Sequence, residues 1–88
     1  MPTISRFHGV VIKMFYRDHP PPHFHGEYNE DEVIVGISPL EVLEGKVPGN
    51  VLRKILPWAL RYRDELEENW DLARSGKPLN QIPPWEDE

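Results

Sequence analysis

The residues best suited to chemistry lie in one short stretch of the chain. Three of the four histidines fall within seven residues, at His19, His23 and His25, and Asp18 directly precedes the first of them. Three consecutive prolines, residues 20–22, separate His19 from His23. Imidazole and carboxylate groups bind divalent transition metals, and neutral imidazole also transfers protons near neutral pH. Metal binding and acid–base chemistry are therefore both hypotheses for this segment.

The histidine spacing is compatible with a metal site. Residues two apart in a strand point to the same face of a sheet, so a strand here presents His23 and His25 together, with Glu27 next along. Asp18 or His19 can fold over from the preceding loop. The candidate ligands for Zn²⁺, Ni²⁺ or Fe²⁺, which imidazole and carboxylate groups bind, are His19, His23, His25 and Glu27.

Two other interpretations of the histidines stay open. In one, His23 and His25 act as metal-independent acid–base groups in RNA cleavage, with Arg17 among the cations that counter phosphate charge. In the other, the histidines are structural: His19 and His23 hydrogen-bond backbone carbonyls around the prolines, and His25 lies on a solvated sheet face. A His-x-His pair occurs by chance on many exposed strands, so the spacing alone does not choose between these interpretations.

Composition limits the classes of protein that the chain can belong to. Its 88 residues allow one domain, and a hydrophobic content of 39% is enough for a core. The absence of cysteine excludes disulfides and thiolate metal sites. A formal net charge of −5 argues against strong binding of nucleic acid by the chain alone. No apolar run approaches the roughly 20 residues of a membrane span, and no signal peptide is visible, so we expect a cytoplasmic protein.

The elements that position the histidines begin with strands. Residues 10–16 are β-branched and aromatic, which predicts a central strand. Residues 24–28 and 32–37, with a turn-like segment between them, predict a hairpin. Residues 40–47 predict a short fourth strand that ends at Gly45.

A helical pattern follows the strands. Apolar residues recur at helical spacing from Val51 to about Ser75, with Asn50 as the expected N-cap and Gly76 just beyond the end. Pro57 removes one helical hydrogen bond, so we expect one helix kinked there or two helices that meet near Leu56. Aromatic side chains on this helix are most simply core, and any that the sheet leaves uncovered form a candidate partner surface: Trp58, Tyr62 and Trp70.

These elements predict an α+β fold, with a small antiparallel sheet of three or four strands followed by one long C-terminal helix. Residues 1–78 are expected to form a single domain. Residues 79–88 are expected to form a Pro-rich acidic tail that is partly ordered at most, in which Leu79, Ile82 and Trp85 can pack against the domain.

Several runs of residues resemble one known family. The resemblance covers nearly the whole chain and is carried by residues 1–7 (MPTISRF), 11–14 (VIKM), 18–19 (DH), 21–25 (PPHFH), 27–28 (EY) and 40–45 (LEVLEG), and by the later Trp58, Asp64-Glu65-Leu66, Asn69-Trp70, Ala73 and Gly76. On these motifs the chain is identified as a member of domain-of-unknown-function family 4160, a group of small bacterial proteins. Pro57 departs from the uninterrupted helix usual in that family.

The resemblance implies a partner but no activity. Such proteins are often encoded beside another small protein, which suggests toxin–antitoxin-like pairs, and the family has no established catalytic residues to transfer. We therefore expect a protein-interaction module, plausibly one member of such a pair, whose partner is encoded nearby. The alternative is a small metal protein or metal-independent ribonuclease centred on His19, His23 and His25.

Overall fold

The computed structural model, which describes residues 2–85, has an α+β fold. Five strands form one antiparallel sheet in chain order, and two helices follow. The elements are β1 (Thr3–Phe7), β2 (Val10–Lys13), β3 (His23–Tyr28), β4 (Asp31–Ile37), β5 (Leu40–Lys46), α1 (Gly49–Arg61) and α2 (Arg63–Arg74). The fold class is confirmed, but the sheet has five strands where three or four were predicted.

The additional strand is β1, which pairs with β2 through a two-residue turn. His8 and Gly9 occupy this turn with φ angles of 51° and 81°. Positive φ at both central residues is the geometry that suits a tight hairpin, because it matches the twist of the flanking strands. Gly9 therefore joins two strands, and Ile4 and Phe7 of β1 are buried in the core.

At the other side of the sheet, β5 continues past Gly45 to Lys46, so the strand does not end where predicted. The register with β4 shifts between Ile34 and Val35, which gives β5 an extra residue. Gly45 has a φ of 77° and passes against the carbonyl oxygen of Glu32. The extra residue itself lies between Val42 and Glu44, and the left-handed conformation of Gly45 lets the strand continue past it to Lys46.

The prediction of a single long helix was wrong in detail, because two helices meet at Tyr62. Tyr62 has φ −108° and ψ 28°, outside helical geometry. Its N–H still donates to the Trp58 carbonyl at 3.0 Å, and its carbonyl accepts from the Leu66 N–H at 2.9 Å. Pro57 lies inside α1 on its exposed side and does not end it. The hydrogen-bond ladder thus passes through the junction, which lies six residues after Leu56, where it was predicted.

The start of α1 also differs from expectation. The helix begins at Gly49, its N-cap is Pro48, and no side chain caps it. Asn50 therefore lies within the first turn and is not the N-cap. Gly76 does end α2 as predicted: its N–H donates to Ala73 O at 3.2 Å, and the Lys77 N–H donates to Leu72 O at 2.9 Å. This pair of bonds is the Schellman arrangement, which favours glycine at a φ of 71°.

Residues 79–85, here called the tail, lie against the domain. The Ile82 N–H donates to the carbonyl of Ile4 in β1 at 2.8 Å, and the Ile82 side chain is buried. The Trp58 indole N–H donates to Pro83 O at 2.8 Å. Leu79 and Trp85 also pack on the core. The acidic end of the predicted tail, residues 86–88, lies outside the described residues. Neither helix in the described part of the chain is long and apolar enough to cross a membrane.

Candidate metal centre

The loop between β2 and β3, residues 14–22, is fastened to the rest of the domain by its backbone. The Met14 N–H donates to Pro2 O at 3.2 Å, and the Ile37 N–H donates to Pro22 O at 3.1 Å. Arg17 takes a φ of 55°, and its N–H donates to Ala73 O near the end of α2 at 3.3 Å. These contacts turn the chain back on itself and bring Asp18 over β3.

Asp18 meets two histidines on the same face of β3. Its Oδ2 atom lies 2.9 Å from Nε2 of His23 and 3.4 Å from Nε2 of His25. One ligand atom from each of the three residues lies within 4.8 Å of the other two. The alternation of β3 thus places His23 and His25 together as predicted, and the loop supplies the carboxylate. We call Asp18, His23 and His25 the His–Asp cluster.

The other nitrogen of each imidazole also faces an oxygen. His23 Nδ1 lies 2.7 Å from Pro21 O, and His25 Nδ1 lies 3.0 Å from Oε2 of Glu32 in β4. Backbone and carboxylate oxygens accept hydrogen bonds, so the tautomer with its proton on Nδ1 satisfies these contacts. This outer set of contacts fixes the orientation of both rings, with the two Nε2 atoms turned toward Asp18.

Aromatic rings enclose the cluster. Phe15 packs edge-on against His25 with ring centroids 4.6 Å apart, and Trp70 of α2 lies 5.2 Å from His23. The two histidine rings are themselves 5.3 Å apart. The side chains of His23 and His25 are only 11% and 13% exposed. Charges here are screened less than at an open surface, so electrostatic contacts within the cluster are strengthened.

The environment lowers the pKa of Asp18 below its usual value. Burial by itself raises this pKa, because it disfavours the charged carboxylate. Hydrogen bonds outweigh that effect: the His19 backbone N–H donates to Oδ1 at 2.8 Å, and His23 and His25 approach Oδ2. The Coulomb interaction with His23 lowers this pKa further. The ionised form of Asp18 is therefore favoured, and an ionised carboxylate can bind a cation.

Other predicted site residues lie apart from the cluster. The His19 side chain is exposed, and His19 contributes only its backbone N–H to Asp18. Glu27 pairs with Lys13, Oε1 to Nζ, at 3.0 Å. The Arg17 guanidinium lies against Gly76, at the end of α2. The structure thus brings together His23 and His25 of the candidate ligands, with Asp18 as their carboxylate.

Glu32 was missed from sequence. A signal for it existed in the predicted hairpin: Glu32 pairs with Glu27 across the sheet, which places it diagonal to His25. Diagonal neighbours on antiparallel strands are within reach of long side chains. The register of the hairpin, once fixed, would have indicated the contact.

The aromatic residues named as a candidate partner surface are mostly interior. Trp58 is fully buried, with its ring packed near Phe7 and Phe24, and Trp70 is 4% exposed. Tyr62 is half-buried. The most exposed large hydrophobic residue of this region is instead Leu60, at 59%.

Comparison with known proteins identifies a family without a described function. A family model described as "Domain of unknown function (DUF4160)" matches residues 9–71, which include the cluster, four of the strands and most of both helices. The family expected from the sequence motifs is thereby confirmed. No curated protein and no solved structure matches the chain.

Proposed function

We propose, for a chain that belongs to the DUF4160 family, that the domain binds a divalent transition-metal ion through Asp18, His23 and His25. One observation carries the proposal: all four ring nitrogens of His23 and His25 face oxygen atoms that accept hydrogen bonds. A neutral imidazole has one N–H and so can satisfy only one such contact. In the tautomer with that proton on Nδ1, each Nε2 is left without one.

The Nε2 lone pair of each ring then points at the Asp18 carboxylate. This arrangement is unfavourable unless a positive charge lies between the two nitrogens and the carboxylate. Two extra protons provide that charge at low pH. A metal cation replaces both Nε2 protons with one ion and leaves the Nδ1 contacts unchanged.

The distances within the cluster support this arrangement. With ligand atoms about 2.1 Å from the metal, neighbouring ligands at octahedral to tetrahedral angles lie about 3.0 to 3.4 Å apart. The two distances from Asp18 Oδ2 to the Nε2 atoms are 2.9 and 3.4 Å. Histidines that bind a metal through one ring nitrogen are oriented by an oxygen that accepts a hydrogen bond from the other. The Pro21 carbonyl and the Glu32 carboxylate occupy these positions here.

Two imidazoles with one carboxylate suit Zn²⁺, Ni²⁺ or Fe²⁺ better than Mg²⁺ or Ca²⁺, which prefer all-oxygen sites. Three protein ligands leave at least one coordination position for water or another small ligand. The metal-independent ribonuclease has less support, because Lys13 pairs with Glu27 and Arg17 lies against Gly76. Lys13 is thereby paired with a carboxylate, and Arg17 lies at the end of α2. Both are cations that would have countered phosphate charge.

Isothermal titration with Zn²⁺, Ni²⁺ and Fe²⁺ tests this function. We expect one ion per chain for the native protein and no measurable binding after His23→Ala or His25→Ala. The matched controls are His19→Ala and His8→Ala, which remove the two exposed histidines. Equal loss in the controls, or no binding of any of the three ions at pH 7.5, would show that the cluster is structural.

We also propose that the domain binds a protein partner, as the family resemblance leads us to expect. The observation that favours this second function is an exposed strip of α1 with apolar and basic side chains and no acidic ones. The test is co-purification with a tagged product of the neighbouring gene. Stoichiometric recovery supports partner binding, and absence of this chain from the eluate argues against it. A toxin–antitoxin-like pair stays a prediction, and growth arrest on induction would identify the toxin.

A further inference from the structure

The solvent-facing side of α1 has an unusual combination of residues. Arg53, Pro57, Leu60 and Arg61 are spaced four, three and one residues apart, which places them on one face of the helix. All four are exposed, and Leu60 is the most exposed of the large hydrophobic residues described, at 59%. We call these four residues the α1 strip. Arginine is enriched at protein interfaces, and here two arginines share a helix face with an exposed aliphatic side chain.

The charges of the α1 strip have no ion-pair partners among residues 2–85. Helix α1 contains Arg53, Lys54 and Arg61 and no acidic residue. Among residues 2–85, the ion pairs join Lys13, His23 and His25 to carboxylates, and none of them involves a cation of α1. The guanidinium of Arg61, a member of the strip, lies 5.5 Å from the centre of the Tyr62 ring. This positive face is notable on a chain whose formal net charge is −5.

We propose that the α1 strip binds an acidic segment of a partner protein, with an apolar side chain of that segment seated on Pro57 and Leu60. The carboxylates of the segment would pair with Arg53 and Arg61. The proposal rests on the partner binding proposed above and names its surface and the chemistry of its partner. Charge complementarity carries the choice of an acidic occupant, because like charges would repel any basic one.

A protein segment fits this strip better than nucleic acid does. Phosphate binding uses cations alone and gains nothing from Leu60 or Pro57. Single-stranded nucleic acid stacks its bases on exposed aromatic rings, but the strip presents none. An apolar anchor flanked by charged contacts is instead the arrangement of residues that dominates many protein interfaces.

A defined peptide tests the proposal on the full chain. The probe is a fluorescein-labelled acidic peptide with leucine at every fourth position, and binding is followed by fluorescence anisotropy in low and high salt. A second peptide has serine in place of each leucine. The protein variants are Arg53→Glu combined with Arg61→Glu, and Leu60→Ser. The matched control, Arg6→Glu combined with Lys77→Glu, changes net charge equally at exposed positions outside α1.

We expect the leucine peptide to bind the native protein and the control equally, and the α1 charge variant at least about tenfold more weakly. Leu60→Ser should weaken the leucine peptide severalfold and leave the serine peptide unchanged. Binding of both peptides with equal affinity, unchanged binding to the α1 variants, or no binding by the native protein would overturn the proposal. Preferential binding of oligouridylate, which competes off the peptide, would assign the strip to nucleic acid instead.

The same variants separate this inference from partner binding as such. If the neighbouring gene product is recovered equally with the native protein and with the α1 charge variant, the surface is wrong while partner binding stands. If the product is recovered with neither, partner binding also fails. Recovery with the native protein and the control, but not with the α1 variant, supports both.

Discussion

Oδ2 of Asp18 lies 2.9 Å from Nε2 of His23, although a turn of three prolines separates the two residues in the chain. The Pro21 carbonyl, within that turn, accepts a hydrogen bond from the other nitrogen of the same imidazole at 2.7 Å. The turn therefore does two things: it returns the carboxylate to β3, and it orients the ring that the carboxylate meets. The predictions for the His–Asp cluster follow from this arrangement.

Acid titration should reveal the lowered pKa of Asp18. A carboxyl group whose pKa is lower in the folded state stabilises the fold above its unfolded pKa of 3.8, and this contribution is lost as the pH falls through the folded value. We expect Asp18→Asn to cost about 1 to 2 kcal/mol at pH 5, because it removes the negative charge that accepts the hydrogen bonds of His19 and His23. The difference should shrink below pH 3.8, measured by urea unfolding at several pH values.

The control for this titration is Asp71→Asn, because Asp71 is exposed on α2. Its effect on the free energy of unfolding should be small and should change little over the same pH range. If the cost of Asp18→Asn persisted unchanged to the lowest pH, the charge of Asp18 would not be what stabilises the loop.

Metal binding should compete with protons. A protonated Nε2 must lose its proton before it can bind a metal, so zinc affinity should fall in acid, by one to two powers of ten per pH unit where protons compete for both rings. Zinc at about 100 times its dissociation constant should add about 2.7 kcal/mol of stability. For a domain of this size that corresponds to a rise in Tm of roughly 10 to 20 °C, measured by calorimetry.

The contact between His25 Nδ1 and the Glu32 carboxylate offers a finer test of the same site. Glu32→Gln keeps an oxygen near His25 Nδ1 and removes the charge, so zinc affinity should fall by about tenfold without being lost. Glu30→Gln, at an exposed position in the same hairpin, should leave zinc affinity unchanged. A zinc affinity independent of pH, or equal effects of the two substitutions, would contradict coordination by the imidazoles.

Local patterns predicted most of the fold. The hairpin of β3 and β4, the strand at β5 and the helical region follow from alternation and helical spacing, which are local properties of the sequence. β1 was missed because the chain joins β1 and β2 through two residues with positive φ, and one of them is the non-glycine His8. Pro57 was overrated as a helix breaker because it lies on the exposed side of α1, where water can reach the carbonyl that proline leaves unpaired.

For the His–Asp cluster, the sequence predicted which face of the strand carries the two histidines. It could not decide between Asp18 and His19 as the third group, because the path of the loop depends on contacts made far along the chain. Arg17 is held by the carbonyl of Ala73, more than fifty residues later. Such a contact depends on how α2 packs, which no local pattern reveals.

Gly45→Ala should destabilise the sheet at β5. A Cβ at Gly45 would overlap the carbonyl oxygen of Glu32, and the φ of 77° is itself unfavourable for alanine. We expect a loss of about 1 to 3 kcal/mol in the free energy of unfolding. Gly49→Ala is the matched control: there the added Cβ would be near only the flexible end of Arg53, at 3.7 Å. Alanine at Gly49 should be neutral or stabilising by up to about 1 kcal/mol. Equal effects at both glycines would contradict the requirement for glycine at position 45.

Asn69 should be the residue that fastens the tail to α2. It is fully buried, its Nδ2 donates to Asn80 O at 2.9 Å, and its Oδ1 accepts from the Asn80 N–H at 2.8 Å. Asn69→Ala removes both bonds and leaves a small cavity, so we expect a loss of about 2 to 3 kcal/mol. Amide exchange at Ile82, whose N–H bonds Ile4, should accelerate more than exchange at Ile12 in the sheet.

The control for the tail is Gln81→Ala, which removes an exposed bond from Gln81 Nε2 to Thr3 O. It should cost less than about 1 kcal/mol and leave exchange at Ile82 nearly unchanged. The indole proton of Trp58, which donates to Pro83 O, gives an independent NMR signal for the same segment. In the contrary outcome, Asn69→Ala would lower global stability, but exchange at Ile82 would accelerate no more than exchange at Ile12, and the Trp58 indole signal would change only with the core. The tail would then unfold only with the whole domain. Asn69 would then be a core residue and not a local fastening.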